Sequence, residues 1–159
     1  MSLLACLLCG CATSYQGDAF TGGYSETQFD ENIFNVSFRG NAMTRRDRVA
    51  DFTLLRCAEL TLENGFSYFA VVESNSYTDT STHTTPTTTN TTGNAYSSGN
   101  MIHGNATSTT TGGQTYNTTK PSQTNTIVCF KEKPISTFSY NAKFIYKSIS
   151  EKYGINESL

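Results

Sequence analysis

The sequence predicts an α+β domain: a small three-stranded sheet in the order strand, helix, strand, strand, helix, with one long central helix and a disordered insertion. Three observations carry that prediction. Residues 44–64 hold a helical period between a start signal and a glycine stop, three short apolar runs have the pattern of strands, and residues 75–123 almost lack aliphatic side chains. The chain of 159 residues suffices for one domain. That domain is placed at 24–153 and is interrupted by the insertion at 75–123.

The chain opens Met1-Ser2-Leu3-Leu4-Ala5-Cys6-Leu7-Leu8-Cys9-Gly10-Cys11. This apolar run falls far short of the roughly 20 residues that a membrane-spanning helix needs. It has the length of the apolar part of a signal peptide, so residues 1–10 are expected to be one. Leu8-Cys9-Gly10-Cys11 has the form of a bacterial lipobox, with Leu8 three residues before Cys11 and Gly10 directly before it. In such sequences the cysteine sulfur is lipidated, the chain is cleaved before it, and the new amino group is acylated. Cys11 is the expected site. Cys6 leaves too short an apolar stretch before it, and Cys9 follows Leu8, which is too large for the cleavage pocket. Three acyl chains, at about 0.8 kcal/mol per buried methylene, make a permanent anchor. No Lys or Arg precedes Leu3, so translation is expected to begin upstream of Met1. Ala12 and Thr13 follow Cys11, where an aspartate would retain an enteric-type lipoprotein in the inner membrane, so the outer membrane is the expected destination. Residues 11–23 are small and polar after the cysteine and read as a tether.

Phe34, Val36 and Phe38 alternate with Asn35, Ser37 and Arg39, the period of a half-buried strand. Gly40-Asn41 breaks it. Thr44 then offers a hydroxyl to the orphan amide three residues on, with Asp47 near the positive end of the helix. The predicted helix runs from Thr44 to Asn64. It carries Ala50, Leu54, Ala58, Thr61 and Leu62 on one face, Cys57 at the margin, and Arg56, Glu59 and Glu63 opposite. Gly65 is the expected left-handed stop, and Phe66 folds back on the last turn. Tyr68–Glu73 starts a second strand at once, so strand, helix and strand read as a crossover unit. Thr126–Lys131 is a third strand closed by Pro134. Ala142, Ile145 and Ile149 recur at helical spacing between Tyr140 and Tyr153, ahead of Gly154.

Between Asn75 and Gln123 threonine, asparagine, serine and glycine dominate, and Ile102 is the only residue of Val, Ile or Leu type. So little apolar surface does not offset an ordering entropy of about 1–2 kcal/mol per residue, and the insertion reads as disordered. Its threonine-rich roots favour strands and leave open a hairpin that prolongs strands two and three.

The composition also excludes. Lys and Arg total 11 against 13 Asp and Glu, a net charge of -2 that leaves no electrostatic footprint for nucleic acid. His83 and His103, the only histidines, both lie in the insertion, so no rigid scaffold sets a base beside a nucleophile. Gly22-Gly23 and Gly112-Gly113 lack the strand, glycine, helix setting of a phosphate loop. Glu59 and Glu63 read as a solvated face beside Arg56 rather than a catalytic pair. Two lone cysteines offer no zinc site. Cys57 and Cys129 read as buried small hydrophobes or, in an oxidising compartment, as a disulfide. Val128 and Phe130 form the more apolar set of their strand, so Cys129 is expected to face outward and to stay unbridged. Arg39, Arg45, Arg46 and Arg48 gather near the helix start and read first as an exposed, solvated turn, with a contact to a lipid headgroup or an anionic glycan as the alternative. Gly23-Tyr24, Tyr77, Tyr96 and Tyr116 offer ring faces to sugars, although tyrosine among threonines is also ordinary loop composition.

Several segments also resemble a known family. Beside the Cys11 lipobox they are Gly22-Gly23-Tyr24-Ser25-Glu26-Thr27, Phe38-Arg39-Gly40-Asn41, Asp51 through Leu54 into Arg56, Ala58-Glu59-Leu60-Thr61, Gly65-Phe66, Phe69 and Tyr140-Asn141-Ala142. In this order they resemble uncharacterised proteobacterial outer-membrane lipoproteins known by Caulobacter locus names. The pieces cover roughly half of the chain and leave out the threonine-rich insertion. The resemblance implies location and fold, and the family has no established activity to carry over.

The expectation is a non-enzymatic cell-envelope protein of the outer membrane, lipid-anchored through Cys11, with a structural or interaction role. Its partners are the membrane and an envelope protein or glycan, with no nucleic acid, no cofactor, no metal and no catalytic residue. The alternatives are a periplasmic glycan- or peptidoglycan-binding module and an envelope-stress sensor.

Overall fold

Phe34, Val36 and Phe38 do lie on one side of a strand, and all three are buried. They belong to β2 (Ile33–Arg39) in the computed structural model, which describes residues 12–155. The other elements are β1 (Gly23–Asp30), α1 (Arg46–Glu63), β3 (Tyr68–Thr84), β4 (Thr88–Ser98), β5 (Met101–Thr111), β6 (Thr115–Phe130), β7 (Tyr140–Asn141) and α2 (Ala142–Tyr153). Five strands form one sheet in the order β1-β2-β6-β3-β7, and β4 with β5 form a second, two-stranded sheet. The described residues divide into a main unit, which ends at Asp79 and resumes at Thr119, and a ribbon unit, Thr80–Thr118.

This corrects the expected fold class. The chain is mostly antiparallel sheet with helices of 18 and 12 residues, rather than a three-stranded α+β domain built round a long central helix. β1 escaped the sequence reading because Tyr24 and Phe29 are the only large apolar side chains of Gly23–Asp30 and, five residues apart, set no alternation to find. The insertion is not disordered either. It supplies the outer part of β3, all of β4 and β5, and the start of β6. Threonine's β-branch favours the extended backbone. Cross-strand hydroxyl pairs also line up, with Thr89 and Thr110 3.1 Å apart and Thr91 and Ser108 3.1 Å apart.

In the main sheet β2 runs antiparallel to both β1 and β6. The Ser67 amide bonds the Phe130 carbonyl, and further along β3 the Ser74 hydroxyl bonds Asn125, so β3 is also antiparallel to β6. β2 and β3 are therefore parallel with β6 between them, and α1 is the crossover that joins them. The helices cover one face of this sheet, against Phe34, Val36, Ile127, Cys129 and Phe69. Each such side chain stabilises the fold by about 1.5–3 kcal/mol on burial.

The α1 helix is buried on more sides than one stripe predicts. Val49, Phe52, Leu55, Cys57, Ala58, Leu60 and Thr61 are all covered, whereas Ala50, Leu54 and Leu62 are half-exposed. α2 covers a second flank, and Tyr15, packed edge-on to Phe52 at 5.3 Å, covers a third. The helix stop is as expected, with Gly65 at φ +76° and the Phe66 amide closing on the Thr61 carbonyl at 2.9 Å. Its start differs. Arg45 is the N-cap with no side-chain bond, because the Thr44 hydroxyl accepts instead from the amides of Thr13 (2.9 Å) and Asn41 (3.2 Å).

Residues from Thr13 on are thus not the free tether expected for 11–23. Thr13 is buried, and its own hydroxyl bonds the Thr21 carbonyl at 2.8 Å and receives the Asn41 amide at 2.9 Å. Gly22 explains its own place beside this knot. Its φ is +99°, and a Cβ there would stand 2.2 Å from the Arg39 carbonyl oxygen.

Candidate functional site

The helices leave the other face of the main sheet open; Val128 and Phe130 lie on it at one end, and further along the β2–β6 pair it is polar. Asn35 bonds Thr126 across the β2–β6 pair at 3.1 Å, and the hydroxyls of Ser37 and Thr124 are 3.0 Å apart. Alternation dictates this. With Phe34, Val36 and Phe38 turned inward, Asn35, Ser37 and Arg39 must turn outward.

Toward the other end of this face four strands contribute to a cleft of about 270 Å³. β1 supplies Gly23 and Ser25, β2 supplies Ser37 and Arg39, β6 supplies Ser122 and β3 supplies Tyr77 and Asp79, with Asp18 closing the rim. Ser25 stands opposite Ser37, and Arg39 opposite Ser122, in the strand registers. The Arg39 guanidinium donates to Asp18 at 2.7 Å, which fixes its direction across the cleft. Ser122 is buried, and its hydroxyl oxygen has no hydrogen-bond partner among the described residues. A second cleft of about 320 Å³ shares Arg39 and Asp79 and is lined also by Phe20, Asn41 and Lys120. The first cleft provides a cation, two carboxylates, hydroxyls and one exposed aromatic ring, and the second adds Lys120 and Phe20. Such a set binds polyhydroxylated or amide-bearing ligands by hydrogen bonds and ring stacking.

The one residue assigned a role from sequence, Cys11, lies outside the described residues, as does the expected signal peptide at 1–10. Ala12 and Thr13 follow it directly into the folded unit. The four arginines do not act together. Arg39 pairs with Asp18, Arg45 with Asp47 at 3.2 Å, and Arg48 lies over the rings of Phe52 and Tyr153. His83 and His103 are exposed on β3 and β5, and within the ribbon unit His103 stacks on Tyr96 at 5.5 Å.

Glu59 is the principal misreading. It is buried, not solvated. Its side chain is 8 % exposed and receives hydrogen bonds from the Tyr15 hydroxyl and from Arg56 at 2.9 Å. Arg56, 11 % exposed, also bonds Glu26 of β1 at 2.9 Å and Glu63 at 3.0 Å, and its guanidinium covers the Tyr24 ring at 4.7 Å. Burial, and then the bond to Glu59, pushes the Tyr15 phenol well above its ordinary value. The helical wheel hides this cluster because the covering groups, Tyr15, Tyr24 and Glu26, are distant in sequence. All three carboxylates turn to the one guanidinium, so the cluster clamps β1 and the segment at Tyr15 to α1 rather than presenting a reactive group.

The thiols are also placed differently. Cys57 is fully buried rather than marginal, and Cys129 faces inward beside Ile127, while Val128 and Phe130 lie on the half-buried opposite side. The register explains it. Ile127 opposes the buried Phe34, and Cys129, two residues on, must share its face. Both cysteines are free thiols, and the Thr61 hydroxyl lies 3.4 Å from the Cys129 sulfur. Burial pushes both thiols up from their ordinary value.

Among the described residues no three His, Cys, Asp or Glu side chains converge as a metal site would require, and no helix is long and apolar enough to cross a membrane. In comparison with known proteins, no family model, no curated protein and no solved structure matches the chain.

Proposed function

We propose that the chain is a lipid-anchored protein of the bacterial cell envelope that acts by binding rather than by chemistry. The observation that carries this reading is Leu8-Cys9-Gly10-Cys11 standing two residues before Thr13, where the folded unit begins. A lipid on Cys11 would hold the folded unit directly at the bilayer, and the resemblance to outer-membrane lipoproteins favours that membrane. Incorporation of labelled palmitate tests it. Label is expected on the wild-type chain and on Cys9→Ala but not on Cys11→Ala, and label retained by Cys11→Ala would overturn the reading.

The polar cleft favours one of the alternatives, a glycan- or peptidoglycan-binding module. Tyr77 supplies the stacking ring, and Arg39, Asp79 and Ser122 supply the polar partners that a sugar or a short peptide bridge requires. Titration with peptidoglycan fragments, followed by NMR, is expected to shift signals of these residues. Tyr77→Ala should abolish the shifts, and fragments that shift none of them exclude this cleft as the site.

A further inference from the structure

Far from that cleft, the segment from Lys131 to Phe144 puts large apolar side chains into water. Ile135 is 104 % exposed, Phe138 75 % and Phe144 71 %. Three lysines stand among them. Lys131, Lys133 and Lys143 line one cleft of about 520 Å³ beside Leu62 and Tyr68, with Glu132 as its only carboxylate. None of the three takes part in the ion pairs found among the described residues. In a chain of net charge -2 this is a local positive surface, with exposed apolar side chains following its lysines in sequence at Ile135 and Phe144.

We infer that this surface docks on an anionic lipid bilayer. The combination is the one that interfacial binding uses, apolar groups entering the acyl boundary while lysine ammonium groups meet headgroup phosphates. A soluble acidic partner would satisfy the lysines but leave Ile135 and Phe144 without a role. The contact goes beyond the Cys11 lipid and does not depend on it. Thr13 is tied to Thr44 at the start of α1, whereas Leu62 and Ser67 place the lysine cleft at its end, about 27 Å along the helix at 1.5 Å per residue, so the two membrane contacts are separate points on the fold.

Sedimentation of the full chain, unacylated at Cys11, with phosphatidylglycerol and phosphatidylcholine vesicles tests this, because an acylated Cys11 would hold every variant on either vesicle. Every variant carries the same residues before Cys11, so differences between variants report the patch alone. The wild type is expected to favour the anionic vesicles and to lose that preference at high salt. The Lys131→Glu, Lys133→Glu, Lys143→Glu variant should bind them about a hundredfold more weakly, at about tenfold or less per lysine. Ile135→Ser with Phe138→Ser, an independent variant of exposed positions, should weaken binding while keeping the preference for anionic lipid. Equal binding of the wild type to both vesicle types, or variants indistinguishable from it, would overturn the inference. So would equally tight binding to heparin, a soluble polyanion, that is unaffected by loss of Ile135 and Phe138. The Cys11 reading is tested separately by palmitate, so either can fail without the other.

Discussion

Tyr15 donates its hydroxyl hydrogen bond to the buried carboxylate of Glu59, joining a residue near the start of the described chain to the middle of α1. The same carboxylate receives Arg56, which reaches on to Glu26 and Glu63. One guanidinium therefore holds three carboxylates together.

Removing that cation should hurt more than removing any one anion. Arg56→Met leaves Glu59 buried with only Tyr15 as partner and is expected to cost about 3–5 kcal/mol. Tyr15→Phe removes one bond to a charged acceptor and is expected to cost about 1.5–3 kcal/mol. Urea unfolding of the single variants and of the double variant measures both the costs and their coupling. An Arg56→Met chain as stable as the wild type would show that the cluster is solvated.

The thiols give a second test. Cys57 and Cys129 are buried and protonated, and the thiolate is the nucleophile. Maleimide should label neither in the folded chain and both in about 6 M urea, with labelling in between tracking unfolding. Rapid labelling of either in buffer would place it at the surface.

Stability should also fall at alkaline pH, in a definite order. The unfolded chain releases thiol protons near the ordinary 9.0 and the Tyr15 proton near 10.0, while the folded chain retains them to higher pH. The unfolded state then binds fewer protons than the folded state, so unfolding becomes easier as pH rises. The contribution is complete below about pH 9 and declines above it, with a limiting slope of about 1.4 kcal/mol per pH unit for each group. Replacing both cysteines by alanine should remove the onset near pH 9, and Tyr15→Phe the further fall above pH 10. Urea midpoints from pH 7 to 11 give the profile, and a wild-type midpoint flat across that range would contradict the burial of all three.

The ribbon unit should be dispensable for folding of the main unit. Ser74 faces Asn125, and counting inward from that pair sets Asp79 opposite Lys120. Joining these two through Asn-Gly removes Thr80–Thr119 and closes β3 and β6 with a tight turn. Thermal unfolding followed by circular dichroism is expected to change by less than about 1 kcal/mol, since loop-closure entropy depends only logarithmically on length. A loss above about 2 kcal/mol would mean that the ribbon supports the main unit.

Periodicity was legible wherever apolar and polar residues alternate. β2, the middle of α1 and its Gly65 stop follow from residues adjacent in sequence. β1 was not legible, because Tyr24 and Phe29 stand five residues apart among polar neighbours and set no period of two. The ribbon was missed for a different reason. The entropy argument counted its missing aliphatic groups but not the backbone bonds of the β4–β5 ladder, which runs from Thr88–Thr111 to Ser98–Met101. Cys129 was turned the wrong way because side-chain hydrophobicity was compared within one strand, whereas its face is set by the pairing of Ile127 with Phe34. The cleft at Arg39 brings residues from four strands together, and only the sheet order reveals it.

The Thr13–Thr44 bond has a kinetic consequence for the lipid-anchor proposal. Enzymes that modify and cleave a chain at Cys11 must draw the residues on both sides into their own sites as extended backbone. Once the Thr13 amide is held by Thr44, only Ala12 separates that cysteine from a folded surface. If Cys11 is processed as proposed, processing and folding would compete for the same few residues. A chain that folded first would then be a poorer substrate, so the knot at Thr13 would act as a clock on maturation.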